Sequence, residues 1–122
     1  MKVLKGNILF MMVMLLFTGL HSHAQDDAEE ITFTMNLSKE ELGLNERLRV
    51  DFTMNKDGDN FKPPQFNGFN VVMGPSQSIS SSWINGKRSF SKTYSYVLKP
   101  TARGSFTINQ ATIEIDGQTY KT

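Results

Sequence analysis

The fold this sequence predicts is an antiparallel β-sandwich of immunoglobulin-like type, and three observations predict it. Apolar and polar residues alternate with a period of two through most of residues 31–120, the mark of half-buried strands. Tight-turn dipeptides, chiefly Asn85-Gly86 and Asp116-Gly117, separate the alternating runs. The runs amount to seven or so short strands, and the sustained period of two leaves no long helix to place after residue 30.

The first element stands apart from that domain. Lys2 and Lys5 precede an apolar run from Ile8 to Leu16, extended by Phe17 and Leu20, and Ser22-His23-Ala24 supplies small residues before a cleavage point. This is the layout of a secretory signal peptide over residues 1–24, cut after Ala24. The run falls short of the roughly 20 apolar residues a spanning helix needs, and no cysteine follows it to take a lipid. The domain therefore occupies residues 25–122 and is expected to be exported. It has no cysteine, so it folds without disulfides, as exported bacterial sandwich domains do.

Gln25 to Glu30 is an acidic, solvated lead-in. Ile31, Phe33, Met35 and Leu37 then alternate with Thr32, Thr34 and Asn36 as a first strand. Ser38 to Glu46 reads as a connection, with a turn of helix at Lys39 to Leu42 and Leu44 tucked inward. In the second strand Leu48, Val50, Phe52 and Met54 point to the core and Arg47, Arg49, Asp51 and Thr53 outward. Asn55 to Gln65 is expected to be irregular, because it carries Asp57-Gly58-Asp59 and Pro63-Pro64. Phe66, Phe69, Val71 and Val72 form a short strand that ends at Gly74-Pro75.

Pro75 to Pro100 is a long hairpin. Asn-Gly suits a type I′ turn, which needs positive φ at both central residues. That turn fixes the register: Ile84 faces Lys87, Trp83 faces Arg88, Ser81 faces Phe90, Ile79 faces Lys92 and Gln77 faces Tyr94. These last four pairs share one face, which Tyr94, Tyr96 and Leu98 continue and which is expected to meet the core, Trp83 included. The other face pairs Ser82 with Ser89, Ser80 with Ser91, Ser78 with Thr93 and Ser76 with Ser95, a hydroxyl ladder facing water. After Arg103-Gly104, Ser105 to Asn109 alternates as a further strand, and Ala111, Ile113 and Ile115 as another. Asp116-Gly117 turns the chain into a short return strand with Tyr120 inward, read as a truncated last edge of the N-terminal domain of a longer protein.

The sequence excludes several chemistries. His21 and His23 are the only histidines and both fall in the signal peptide, so the domain has neither His nor Cys. Nucleophilic triads and the common zinc sites are ruled out. Glu114 and Asp116 share a face but adjoin a turn, without the perturbed surroundings acid–base work needs. Asp57 and Asp59 have calcium-like spacing, yet lack a third acidic ligand and a bidentate Glu, and read as turn formers. Thirteen Lys and Arg, less Lys2 and Lys5, stand against twelve Asp and Glu, leaving the domain at minus one, which does not favour a nucleic-acid partner. No catalytic, cofactor or metal site is assigned. The candidate interaction surface is Trp83 with Arg88, where a cation–π contact is expected, and the loop around Asp57 and Asp59.

Pro64-Gln65-Phe66-Asn67-Gly68-Phe69, then Val71, Gly74-Pro75-Ser76, Ile84-Asn85-Gly86 and Thr93 to Pro100 run in an order that resembles the BatD family. Gly104, Phe106, Ile108, Ala111, Gly117 and Tyr120 continue the likeness. That family is associated with oxygen tolerance in Bacteroides and relatives. The resemblance implies an exported, longer protein anchored in the inner membrane by a C-terminal helix that this chain lacks. It also implies partners among von Willebrand A-domain proteins and a MoxR-type ATPase in an envelope complex. It carries no catalytic residue. The expected function is a non-enzymatic protein-interaction module facing the periplasm. The alternative is a carbohydrate-binding or adhesin-type sandwich using Trp83 with Tyr94, or the hydroxyl ladder.

Overall fold

The computed structural model describes residues 29–122; the segment expected to be a signal peptide and the start of the acidic lead-in lie outside the described residues. Seven strands follow one another: β1 (Phe33–Leu37), β2 (Leu48–Met54), β3 (Asp59–Lys62), β4 (Phe69–Ile84), β5 (Lys87–Pro100), β6 (Thr112–Ile115) and β7 (Gln118–Lys121). One sheet runs β1-β2-β5-β4 and the other β3-β6-β7, with every pairing antiparallel. Lettered in chain order this is ABED over CFG, the strand order of a constant-type immunoglobulin sandwich. There is no helix among the described residues.

The core follows the alternation of β2. Leu48, Val50, Phe52 and Met54 are buried, and their partners across the β2–β5 ladder are Leu98, Tyr96, Tyr94 and Lys92. The second sheet contributes Ile113 and Ile115, with Ala111 just before β6, all three fully buried. Immunoglobulin domains often bridge β2 and β6 positions with a disulfide packed on a Trp from β3. Here an aromatic cluster holds the interior instead. Phe61 of β3 stacks flat on Tyr94, with ring centroids 4.1 Å apart and planes 2° from parallel. Phe52 meets Phe61 at 5.6 Å and Tyr96 at 6.0 Å, and Phe66 lies 5.1 Å from Tyr96. Each large apolar side chain buried in this way contributes about 1.5–3 kcal/mol.

Several expectations give way to the structure. The segment predicted to be irregular contains β3, which pairs with β6 through a bulge, with Asn60 at φ 55°. The strand predicted to stop at Gly74-Pro75 runs on as the 16-residue β4, crossing a cis Gly74-Pro75 bond and two register shifts. Gly74 is required there, because its φ is 113° and a Cβ would sit 2.6 Å from the Ser95 carbonyl oxygen. Ser105 to Asn109 forms no ladder, since it lies in the link that carries the chain from one sheet to the other. Its Phe106 stays 42% exposed and packs edge-on against Phe69. Lys39 to Leu42 bends without forming a helical turn, and Leu37 and Leu44 are exposed. Asp116-Gly117 turns as expected, at φ 52° and 77°, and β7 pairs along its length with β6 as an edge strand.

Candidate interaction surface

The β4–β5 hairpin forms as the Asn-Gly turn dictates. Asn85 and Gly86 have φ of 51° and 77°, and the register runs Ile84–Lys87, Trp83–Arg88, Ser82–Ser89, Ser81–Phe90 and so on to Ser76–Ser95. The first correction concerns what covers it. β2 supports β5 only as far as the Met54–Lys92 pair. Five further pairs, Ser80–Ser91 to Ile84–Lys87, extend past that point, a reach of about 15 Å at strand rise. Both faces of this arm meet solvent: Trp83 is 72% exposed, Ile84 64% and Ile79 59%. Trp83 is therefore not a core residue. Alternation assigns a side chain to a face, but a second layer must be present to bury it, and β2 has already ended at Met54.

Arg88 lies on the Trp83 face as expected, but its guanidinium sits over Phe90, 5.6 Å from the ring centroid, rather than over the indole. Its Nε donates to Ser81 Oγ at 3.2 Å. The backbone adds a second feature. β4 is the outer strand of its sheet, so among the described residues one side of its backbone has no strand partner along 16 residues. In a two-residue hairpin the Ile84–Lys87 pair exchanges ladder hydrogen bonds, and alternate residues Gln77, Ile79, Ser81 and Trp83 turn their amides outward.

Asp57 does a different job from the one its loop position suggested. Lys92, buried on the inner face, donates from Nζ to Asp57 Oδ1 at 2.9 Å and lies 5.3 Å from the Tyr94 ring centroid. Asp57 Oδ1 also accepts from the Gly58 amide at 2.9 Å. The pair ties the β2–β3 loop to the base of the arm. The Lys92 hydrogen bond holds the Asp57 carboxyl below the usual carboxylate range, and the Asp57 hydrogen bond raises the Lys92 ammonium above its ordinary value. Asp59 stands apart, exposed on β3 opposite Glu114. Trp83 and Arg88 are thus brought together, while Asp57 and Asp59 belong to the base and the second sheet. Glu114 accepts from Asn60 Nδ2 at 3.0 Å and Asp116 pairs with Lys56, so these carboxylates are engaged in surface contacts. Among the described residues no group of three His, Cys, Asp or Glu is placed to hold a metal ion.

The hydroxyl face is wider than the hairpin alone implied. Register places Thr34, Thr53, Thr93 and Ser78 in one row across four strands and Asn36, Asp51, Ser95 and Ser76 in the next. Thr53 and Thr93 hydroxyls lie 3.0 Å apart, and Ser95 Oγ donates to Asp51 Oδ1 at 2.6 Å. Arg49 Nε donates to the same Asp51 oxygen at 2.9 Å. The signal for this extension lay in the polar positions of β1 and β2. At the opposite end of the hairpin an open groove of about 780 Å³ is lined by Glu41, Leu42, Phe69, Arg103 and Phe106 among others, away from Trp83.

The family model described as the BatD DUF11-like domain matches residues 35–122. No curated protein and no solved structure matches the chain. The family match runs from within β1 past the end of β7, taking in all of the core but Phe33, the arm and its Lys92–Asp57 base, and the chain belongs to the BatD family.

Proposed function

We propose that this chain is the non-enzymatic protein-interaction module of an exported envelope protein linked to oxygen stress, working within a Bat-type membrane complex whose partners carry von Willebrand A domains. Family membership supports the setting. The observation that carries the interaction role is β4: a 16-residue outer strand whose far half stands clear of the body with Ile79 and Trp83 exposed. An open edge of this kind accepts an added strand through main-chain hydrogen bonds, with alternate side chains reading the partner. The reading is non-enzymatic because the domain has no His or Cys and the carboxylate pair Glu114 and Asp116 is engaged in surface contacts. The glycan-binding alternative needs a row of exposed rings. Tyr94 is buried against Phe61, which leaves Trp83 with a half-buried Phe90.

Site-specific photo-crosslinking tests this reading. A photoreactive residue at Ser80 of the full-length chain in its own envelope is expected to give a discrete adduct with a von Willebrand A-domain protein. Binding to a polysaccharide array without any protein adduct would contradict it.

A further inference from the structure

We infer that the tip of the β4–β5 arm is a membrane-contact wedge that seats in the interface of a bilayer containing anionic lipids. The tip carries an exposed apolar side chain on each of its faces: Trp83 projects from one at 72% exposure and Ile84 from the other at 64%, with Ile79 further down the Trp83 side. A docking strand offers a partner one face and one edge. A hairpin end that presents an apolar side chain on each face suits a medium that surrounds it.

The charge pattern names that medium. Lys87 and Arg88 follow the turn directly, and no carboxylate occurs between Asp59 and Glu114, whereas Lys62, Lys87, Arg88, Lys92, Lys99 and Arg103 all fall within that span. The tip itself therefore carries two cations, Lys87 and Arg88, and no carboxylate, while Lys92 at its base is paired with Asp57. An indole at headgroup depth beside basic side chains is the composition of an interfacial anchor, with the cations drawn to lipid phosphates. Arg88 is held on the Trp83 face by Ser81 and the Phe90 ring, so its charge stays beside the indole. The arm's reach past β2 of about 15 Å exceeds the ~5–10 Å depth at which interfacial segments sit. The tip can enter the headgroup layer while the sandwich stays in water. The two contacts share Ile79 and Trp83, but this one depends on the cations at the tip and the protein contact proposed above on the β4 backbone edge, so they are tested separately.

Trp83 is the chain's single tryptophan, so its emission reports the tip directly. The full chain mixed with phosphatidylglycerol–phosphatidylcholine vesicles is expected to show a blue shift and reduced acrylamide quenching, with little change on pure phosphatidylcholine. Each surface cation contributes about fivefold to binding, so Lys87→Gln with Arg88→Gln should weaken the vesicle response about 25-fold. Salt at about 1 M should weaken it as well. The compared chains differ only at positions 87 and 88, so residues 1–24 act equally in both. Unchanged emission on anionic vesicles, or an equal shift in the double variant, would overturn the wedge. A shift seen only on adding a von Willebrand A-domain protein would also overturn it and leave the edge-strand reading standing. A vesicle shift without crosslinks from Ser80 would do the reverse.

Discussion

Lys92 illustrates how a single residue escapes a pattern. The alternation of β5 puts it on the inner face between Phe90 and Tyr94, where a lysine is out of place by hydropathy alone. Asp57, arriving from a loop 35 residues earlier in the chain, makes that position tolerable. Asp57 keeps 64% of its side chain in water, so solvent screening limits the pair's value. Removing the carboxylate nevertheless strands a lysine side chain that is only 11% exposed. Asp57→Asn is therefore expected to lower unfolding free energy by about 1–2 kcal/mol, and Lys92→Met to stay within about 1 kcal/mol of the parent, both read by urea denaturation. The pH dependence follows from the two shifts. Asp57, lowered in the fold, stabilises above its unfolded value of about 3.9 and loses that contribution as pH falls through the folded one. Lys92, raised in the fold, stabilises fully below about 10.4 and loses its share as pH climbs through the folded value. Stability from the pair should be flat between these limits, and the acid limb shallower in Asp57→Asn. The spacing of Asp57 and Asp59 was visible in the sequence; the partner that gives Asp57 its role was not, because it comes from a different strand.

At the scale of the element, the hairpin was the most legible part of the chain. Asn85-Gly86 admits one turn geometry, that geometry admits one register, and each pair from Ile84–Lys87 to Ser76–Ser95 follows from it. What stayed hidden was extent. A Gly-Pro pair reads as a strand end, yet β4 absorbs it with two bulges and becomes an edge strand of 16 residues. β3 was equally hidden, since its four residues pair with β6, some fifty positions later, and only Phe61 declares an inner face. The edge makes a sharp prediction about proline. At Gln77 the amide points away from β5, so Gln77→Pro should leave the hairpin intact and abolish the Ser80 crosslink. At Ser78 the amide belongs to the β5 ladder, and Ser78→Pro should cost about 3 kcal/mol or more. Circular dichroism melts beside the crosslinking assay separate the two.

For the whole molecule, the sandwich divides into a packed body and a displayed arm. Phe52 is fully buried and touches three other rings, so Phe52→Ala should cost about 3–5 kcal/mol. Trp83, although larger, lies outside the layers, and Trp83→Ala should change unfolding free energy by less than about 0.5 kcal/mol. Fold class and most strands were readable because alternation and turn residues are local properties, whereas β3 and the absence of a strand at Ser105 to Asn109 were not. The fate of Trp83 depended on where β2 stops relative to β5, which no local pattern records. The central claim is that the outer half of this hairpin is displayed for contact rather than packed into the core. Acrylamide quenching of Trp83 emission in the free chain measures it most directly. Quenching close to that of tryptophan in water is the expected result; a blue-shifted, protected emission in the absence of any partner or lipid would contradict it.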